Sequence, residues 1–287
     1  MALVASEEAI LLLGQFRISL RLPSEPERPS DELFARDYSR RWEEFAEWSA
    51  LAVPTTGGEP LGIRDLIDFT EEFSQHLLPI PFLTTLLVAR WTGRAPQSGE
   101  AWTFQAPRRS GGSLIPFADW PRVLRYGASS DAPAQEVGRL QTDRFAPSLP
   151  IAESSRQSDL NTIEGEELRT LCAAAGVGVG SRILSEATRY STQREAFGRP
   201  IAQFQALRHL MADMKRDLEI ARTAAIYSAH IEQGSNHKVV GECLRLCLAI
   251  AGRGVQLFGG IGFTWELGLH FMQRHLVALR QLADVDG

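Results

Sequence analysis

The sequence predicts a mainly α-helical protein in three zones. These are a reduced N-terminal helical domain over 1–92, a small degenerate β-region over 93–163 and a C-terminal antiparallel four-helix bundle over 164–287. Three observations lead there. Apolar residues recur at three- and four-residue spacing in the first and last zones, as on one face of a helix. Between 93 and 162 that period vanishes, and Gly, Pro and Ser punctuate short runs. In the last zone long helical stretches are joined by short connections, which is the pattern of a bundle.

Taken in order, Leu33-Phe34, Tyr38, Trp42, Phe45 and Trp48 predict one amphipathic helix, followed by a Pro- and Gly-rich turn from Val53 to Pro60. A second helix is predicted over Ile63–Leu77, with Leu66, Ile67, Phe69, Phe73 and Leu77 on its apolar face and Pro79 and Pro81 stopping it. In the middle zone Trp102-Thr-Phe and Val123-Leu-Arg-Tyr predict short strands. The last zone predicts helices over Glu166–Gln193, Ala202–Gln233, Lys238–Phe258 and Leu269–Leu282, with Pro200 at a helix start.

Bulk chemistry narrows the function. The 287 residues carry a net charge of -5, and no basic run exceeds a pair of Arg, which argues against a nucleic-acid partner. Cys172, Cys243 and Cys247 cannot build a disulfide framework and lack the partners of a metal site, so they are expected as buried free thiols. The start of the chain is acidic rather than basic, and no run approaches about 20 apolar residues. A cytoplasmic protein with no membrane segment is expected.

Three glycine-containing stretches stand out. Gly176-Val-Gly-Val-Gly180 interrupts an Ala-rich helical run without the strand that a dinucleotide loop needs, so close helix packing is its expected role. In Arg194-Glu-Ala-Phe197-Gly198-Arg-Pro200-Ile201, a tight turn follows a guanidinium. That group could serve the helix dipole or grip a phosphate through its bidentate fork. In Gly254-Val-Gln256-Leu-Phe258-Gly259-Gly260-Ile-Gly262-Phe263-Thr264-Trp265-Glu266, paired glycines end a helix and a carboxylate follows an aromatic loop. Apolar surroundings would raise the Glu266 pKa toward a value useful for proton abstraction, and an exposed acid at a helix start is the plainer alternative.

These stretches resemble the acyl-CoA dehydrogenase family, through three regions in the right order. The first is Leu51-Ala-Val-Pro54 with Gly57-Gly58, Glu71-Glu72 and Leu78-Pro-Ile-Pro81-Phe82-Leu-Thr. The second is the Arg194 turn through Phe204-Gln205, then Ala212-Asp213-Met214 and Ala221-Arg222, and the third runs from Gly254 to Glu266. The resemblance implies FAD as cofactor and an acyl-CoA thioester as substrate, desaturated between its α and β carbons. It places Arg194, Phe197, Gln256, Gly259 and Gly260 against the FAD of a neighbouring subunit. It makes Glu266 the catalytic base, with Glu167 in reserve, and puts Arg169 near the substrate.

The departures from the family point to a partner. No counterpart of the flavin-holding loop and strand is recognisable over 93–162, and the N-terminal domain is short. The chain resembles the reduced subunit of actinobacterial heterotetrameric (α2β2) enzymes acting on steroid-derived acyl-CoA. A full-length dehydrogenase subunit and an electron-transfer flavoprotein are its expected partners. Two alternatives stand beside this: a homo-oligomeric dehydrogenase that binds FAD unaided, and a non-catalytic interaction protein on the same scaffold.

Overall fold

The computed structural model describes residues 5–19, 26–53, 60–97, 99–108, 110–121, 123–127, 135–136, 143, 145–158, 160–231 and 236–284. Part of the family-like turn, including Pro54 and Gly57-Gly58, lies outside them.

The N-terminal part holds α1 (Glu7–Ser19), α2 (Asp31–Ala35), α3 (Ser39–Trp48), α4 (Ile63–Ser74) and α5 (Phe82–Thr92). The single helix expected over Leu33–Trp48 is two helices, because the Arg36 backbone turns extended after α2. Ser30 caps α2 by accepting from the Leu33 amide. A phenylalanine cluster fills this part, with Phe16 edge-on to Phe69 and close to Phe82. The α4 helix ends three residues before the expected Leu77, which takes a positive φ of 51°.

The middle part is a set of short strands: β1 (Ala101–Thr103), β2 (Ala106–Pro107), β3 (Ser113–Pro116), β4 (Val123–Arg125), β5 (Gln135–Glu136) and β6 (Ile151–Ser154). They make two three-stranded sheets, in the orders β1-β4-β5 and β2-β3-β6, with β1 parallel to β4. Such small sheets cannot stand alone. Thr85 on α5 fastens this part to the helices, its hydroxyl accepting from the Trp102 amide at 3.0 Å.

The C-terminal part is the bundle: α6 (Thr162–Gln193), α7 (Gln205–Ser228), α8 (His237–Phe258) and α9 (Leu269–Leu282). A reciprocal capping box starts α6 at Thr162, with Asn161 and Glu164 exchanging side-chain and backbone bonds at 3.0 and 2.9 Å. The α6 helix is the axis of the molecule and packs on α4, α7, α8 and α9. Its glycines explain how: a Cβ on Gly178 would collide with the Glu71 carbonyl of α4, and one on Gly176 with Leu244 of α8. Cys172, Cys243 and Cys247 are free and buried in this core.

Pro200 caps only a short 3-10 turn, Ile201–Gln203, and not the long helix expected from Ala202. It lies in a two-stranded hairpin, β7 (Glu195–Ala196) with β8 (Arg199–Pro200), and α7 begins only at Gln205. The stretch His237–Phe263 is long and apolar enough to cross a membrane by length and composition, contrary to the reading of the sequence. Its role as the bundle's inner helix accounts for that composition, with Val240, Leu244, Cys247 and Ile250 fully buried.

Candidate functional site

Two ends of α6 carry the residues singled out by sequence. Glu167 and Arg194 are 27 residues apart on that helix, roughly 40 Å at 1.5 Å per residue. One small ligand of one chain cannot touch both.

At the start of α6, the side chains are committed. Glu167 accepts from Arg90 Nε at 2.8 Å and from Trp91 Nε1 at 2.9 Å. The Trp91 ring packs edge-on to Phe104 at 5.2 Å and against Tyr126 at 5.5 Å. The Tyr126 hydroxyl donates to Glu164 at 2.6 Å, and burial, then this bond, pushes its pKa well above the usual tyrosine value. Arg169 donates to Asn236 Oδ1 at 2.8 Å, and Asn236 in turn donates to the Glu166 carbonyl at 2.9 Å, tying α6 to the start of α8. Among the described residues, these side chains pack on one another between α5, the small sheets and α6.

At the other end, the side chains are open. The Arg194 amide closes α6 by donating to the Tyr190 carbonyl at 2.8 Å, and the Arg194 carbonyl receives the Ile201 amide at 2.8 Å. Backbone bonds thus fix the residue while its guanidinium stays exposed, with no ion pair among the described residues. Phe197 occupies the tip of the hairpin at φ 54° and is 97% exposed. Such a conformation is uncommon for a bulky residue. Beneath it, Phe204 stands edge-on to Phe197 at 6.1 Å and carries the Arg199 guanidinium 4.3 Å above its ring.

The end of α8 arrives beside this hairpin, because Tyr190 stacks on Phe258 at 4.7 Å. Gln256 is exposed on the last turn of α8. Gly259 takes φ 62°, and neither Gly259 nor Gly260 would meet a neighbour with an added Cβ, so the backbone there is open to close approach. Ile261 and Phe263, which sequence reasoning did not assign to the site, are exposed in the same loop, Phe263 at 82%. The signal available for them was their place directly after the paired glycines. This donor set joins a guanidinium, a carboxamide, open glycine backbone and aromatic rings, which suits a diphosphate joined to a flat base.

Glu266 follows the plainer of the two alternatives, the exposed acid. It is exposed in a short 3-10 turn, Trp265–Leu267. Its own backbone amide first, then the Thr264 side chain, hold its carboxyl below the usual carboxylate range. The predicted rise in pKa is therefore corrected to a fall. The aromatic residues around it in sequence do not enclose it: Phe263 is exposed and Trp265 turns to Asp31 and Phe271.

Residues 166–283 match the acyl-CoA dehydrogenase C-terminal domain family. The chain is 33% identical over 246 residues to acyl-CoA dehydrogenase IpdE2 of Mycolicibacterium smegmatis, covering 79% of this chain and 78% of that protein. In fold it is similar to the ChsE4-ChsE5 complex from Mycobacterium tuberculosis, at a TM-score of 0.68, 16% identity and coverage of 99% and 95%. It is likewise similar to a variant of the Tcur3481-Tcur3483 steroid ACAD, at a TM-score of 0.66, 20% identity and coverage of 97% and 94%. By its identity to a relative matched over most of both chains, this protein belongs to the acyl-CoA dehydrogenase family of FAD-dependent oxidoreductases.

Proposed function

We propose that this chain is the reduced subunit of a heteromeric acyl-CoA dehydrogenase and completes the FAD site of a full-length partner subunit. The observation that carries this reading is the contrast along α6: its start is packed shut around Glu167, while Arg194, Phe197, Gln256, Gly259 and Gly260 stand open together at its far end.

The residues present fit one end of FAD. Arg194 would pair with the diphosphate, Gln256 would hydrogen-bond beside it, and Gly259-Gly260 would let the backbone come close. Phe197 would leave water on meeting the partner, which removes an exposed ring that otherwise costs solvation. Among the described residues, Trp91, Phe104 and Tyr126 pack together between the small sheets and α6, which supports placing the flavin ring in the partner. Bound FAD supplies the acceptor for the hydride leaving the acyl β-carbon.

The proton-abstracting base is assigned to the partner. Glu167 is engaged by Arg90 and Trp91, and Glu266 is exposed with its carboxyl held below the usual carboxylate range, so neither is arranged as such a base. The proposed substrate is a bulky, steroid-derived acyl-CoA, a reading supported by the fold shared with a steroid ACAD. An α2β2 assembly, electron-transfer flavoprotein as acceptor and a cytoplasmic location complete the proposal.

Co-expression with a full-length acyl-CoA dehydrogenase chain tests it. The complex should be yellow and turn over acyl-CoA, and this chain purified by itself should be colourless. Stoichiometric FAD on the lone chain would overturn the reading in favour of a self-sufficient enzyme.

A further inference from the structure

Away from both ends of α6, a cleft of about 490 Å³ opens where the three parts of the chain meet. Its walls include Phe34, Phe117, Trp120, Trp265, Phe271 and Arg274. That volume suits a small organic molecule rather than a helix.

The walls are held in place. Arg182, buried in α6, donates to the Pro26 carbonyl at 3.4 Å and to the Glu27 carbonyl, so the strand of chain leading to α2 is pinned. Trp265 donates its indole N–H to Asp31 Oδ2 at 2.8 Å, closing α2 onto the loop before α9. Phe34 stands edge-on to Phe271 at 4.9 Å. On the far side Ser148 is bonded to His275 Nδ1 at 2.7 Å, which anchors the Pro147–Pro150 rim to α9.

Arg274 is the unusual member. Its guanidinium lies 5.6 Å from the Trp265 ring centre, 5.7 Å from Phe145 and 5.8 Å from Phe271. Rings hold it on three sides, and among the described residues no carboxylate or carbonyl accepts from it. Asp31 lines the same cleft, but one of its oxygens is engaged by Trp265. A guanidinium oriented by aromatic faces keeps its N–H fork available for a planar oxyanion, and the rings that orient it offer a surface for a flat apolar body.

We propose that this cleft binds a small aryl carboxylate, with the carboxylate on Arg274 and the ring system against Trp265, Phe271 and Phe34. The site is separate from the residues assigned to FAD and does not depend on that assignment.

The test is calorimetric titration of the full chain, or of its complex with the partner subunit, with three probes of one shape: 2-naphthoate, 2-naphthalenemethanol and 2-naphthylmethylamine. The expected result is saturable binding of one naphthoate per chain, roughly tenfold tighter than the neutral alcohol, with the amine weakest. Arg274→Gln should bring naphthoate down to the affinity of the alcohol and leave the alcohol itself unchanged. If that variant fails to fold, the ranking of the three probes on the parent chain decides. The proposal is overturned if no probe binds saturably, if all three bind alike, or if Arg274→Gln holds naphthoate as the parent does.

Discussion

The two ends of α6 use the same kinds of residue for opposite purposes. At its start a carboxylate, a guanidinium and several aromatic rings satisfy one another: Arg90 and Trp91 hold Glu167, and Phe104 and Tyr126 hold Trp91. At its end Arg194 has no ion pair among the described residues and Phe197 touches only the edge of Phe204, although backbone bonds fix the hairpin. Buried polar groups left unpaired are costly, so a packed interior closes its networks. An exposed phenylalanine on a rigid hairpin, beside a free guanidinium and an open glycine backbone, is what a surface built for another molecule presents. The difference teaches that spare donors are functional evidence only where the scaffold holding them is itself well fixed.

The largest expected effect strikes the closed end. Trp91→Ala removes a ring stacked between two others and takes one of the donors from Glu167, and it should lower stability by about 3 kcal/mol, read from urea unfolding. Flavin bound per folded complex should not change. A loss of flavin that exceeds the loss of folded protein would show that this end also serves the cofactor.

A second effect of similar or smaller size concerns pH. Burial lowers the pKa of His275 to about 4, where it is bonded to Ser148. The unfolded chain takes up that proton near 6.5, so it binds more protons than the folded chain between about 6.5 and 4. Stability should be complete above 6.5 and fall as pH drops through that window, by up to about 3 kcal/mol for this group. His76, also lowered to about 4 by burial, adds in the same direction. His275→Gln should flatten part of the fall in a series of urea midpoints between pH 7 and 4, and an unchanged slope would remove His275 from the account.

The smallest effect is expected at Glu266. Glu266→Gln should leave turnover of the complex within about twofold, because an exposed, readily ionised carboxylate is poorly matched to proton abstraction. A drop of about a hundredfold or more would return the base to this chain.

Much of this contrast was legible in the sequence, and the failures have physical causes. Leu269–Leu282 was read with its true bounds because its apolar face is regular and Gly268 stops the preceding turn. The close packing at Gly176–Gly180 was legible because small residues inside a helical run have few other uses. The break after α2 was hidden, since Phe34, Tyr38 and Trp42 keep a four-residue spacing across Arg36, and Tyr38 and Trp42 are buried. The fall in the Glu266 pKa was hidden for the opposite reason. Phe263 and Trp265 are its neighbours along the chain, but Phe263 faces solvent and Trp265 packs on Phe271 and bonds Asp31, so neither covers the carboxylate. The plug at Glu167 joins residues 76 and 77 positions apart, beyond the reach of any local pattern.

The most direct test of the central claim is the flavin affinity of the co-expressed complex with Arg194→Ala in this chain alone. Loss of a charge-assisted pair with the diphosphate should weaken FAD binding by about 2 kcal/mol, close to thirtyfold, while the melting temperature of this exposed variant stays that of the parent. An FAD dissociation constant equal to the parent's would contradict the claim that this chain reaches across to its partner's cofactor.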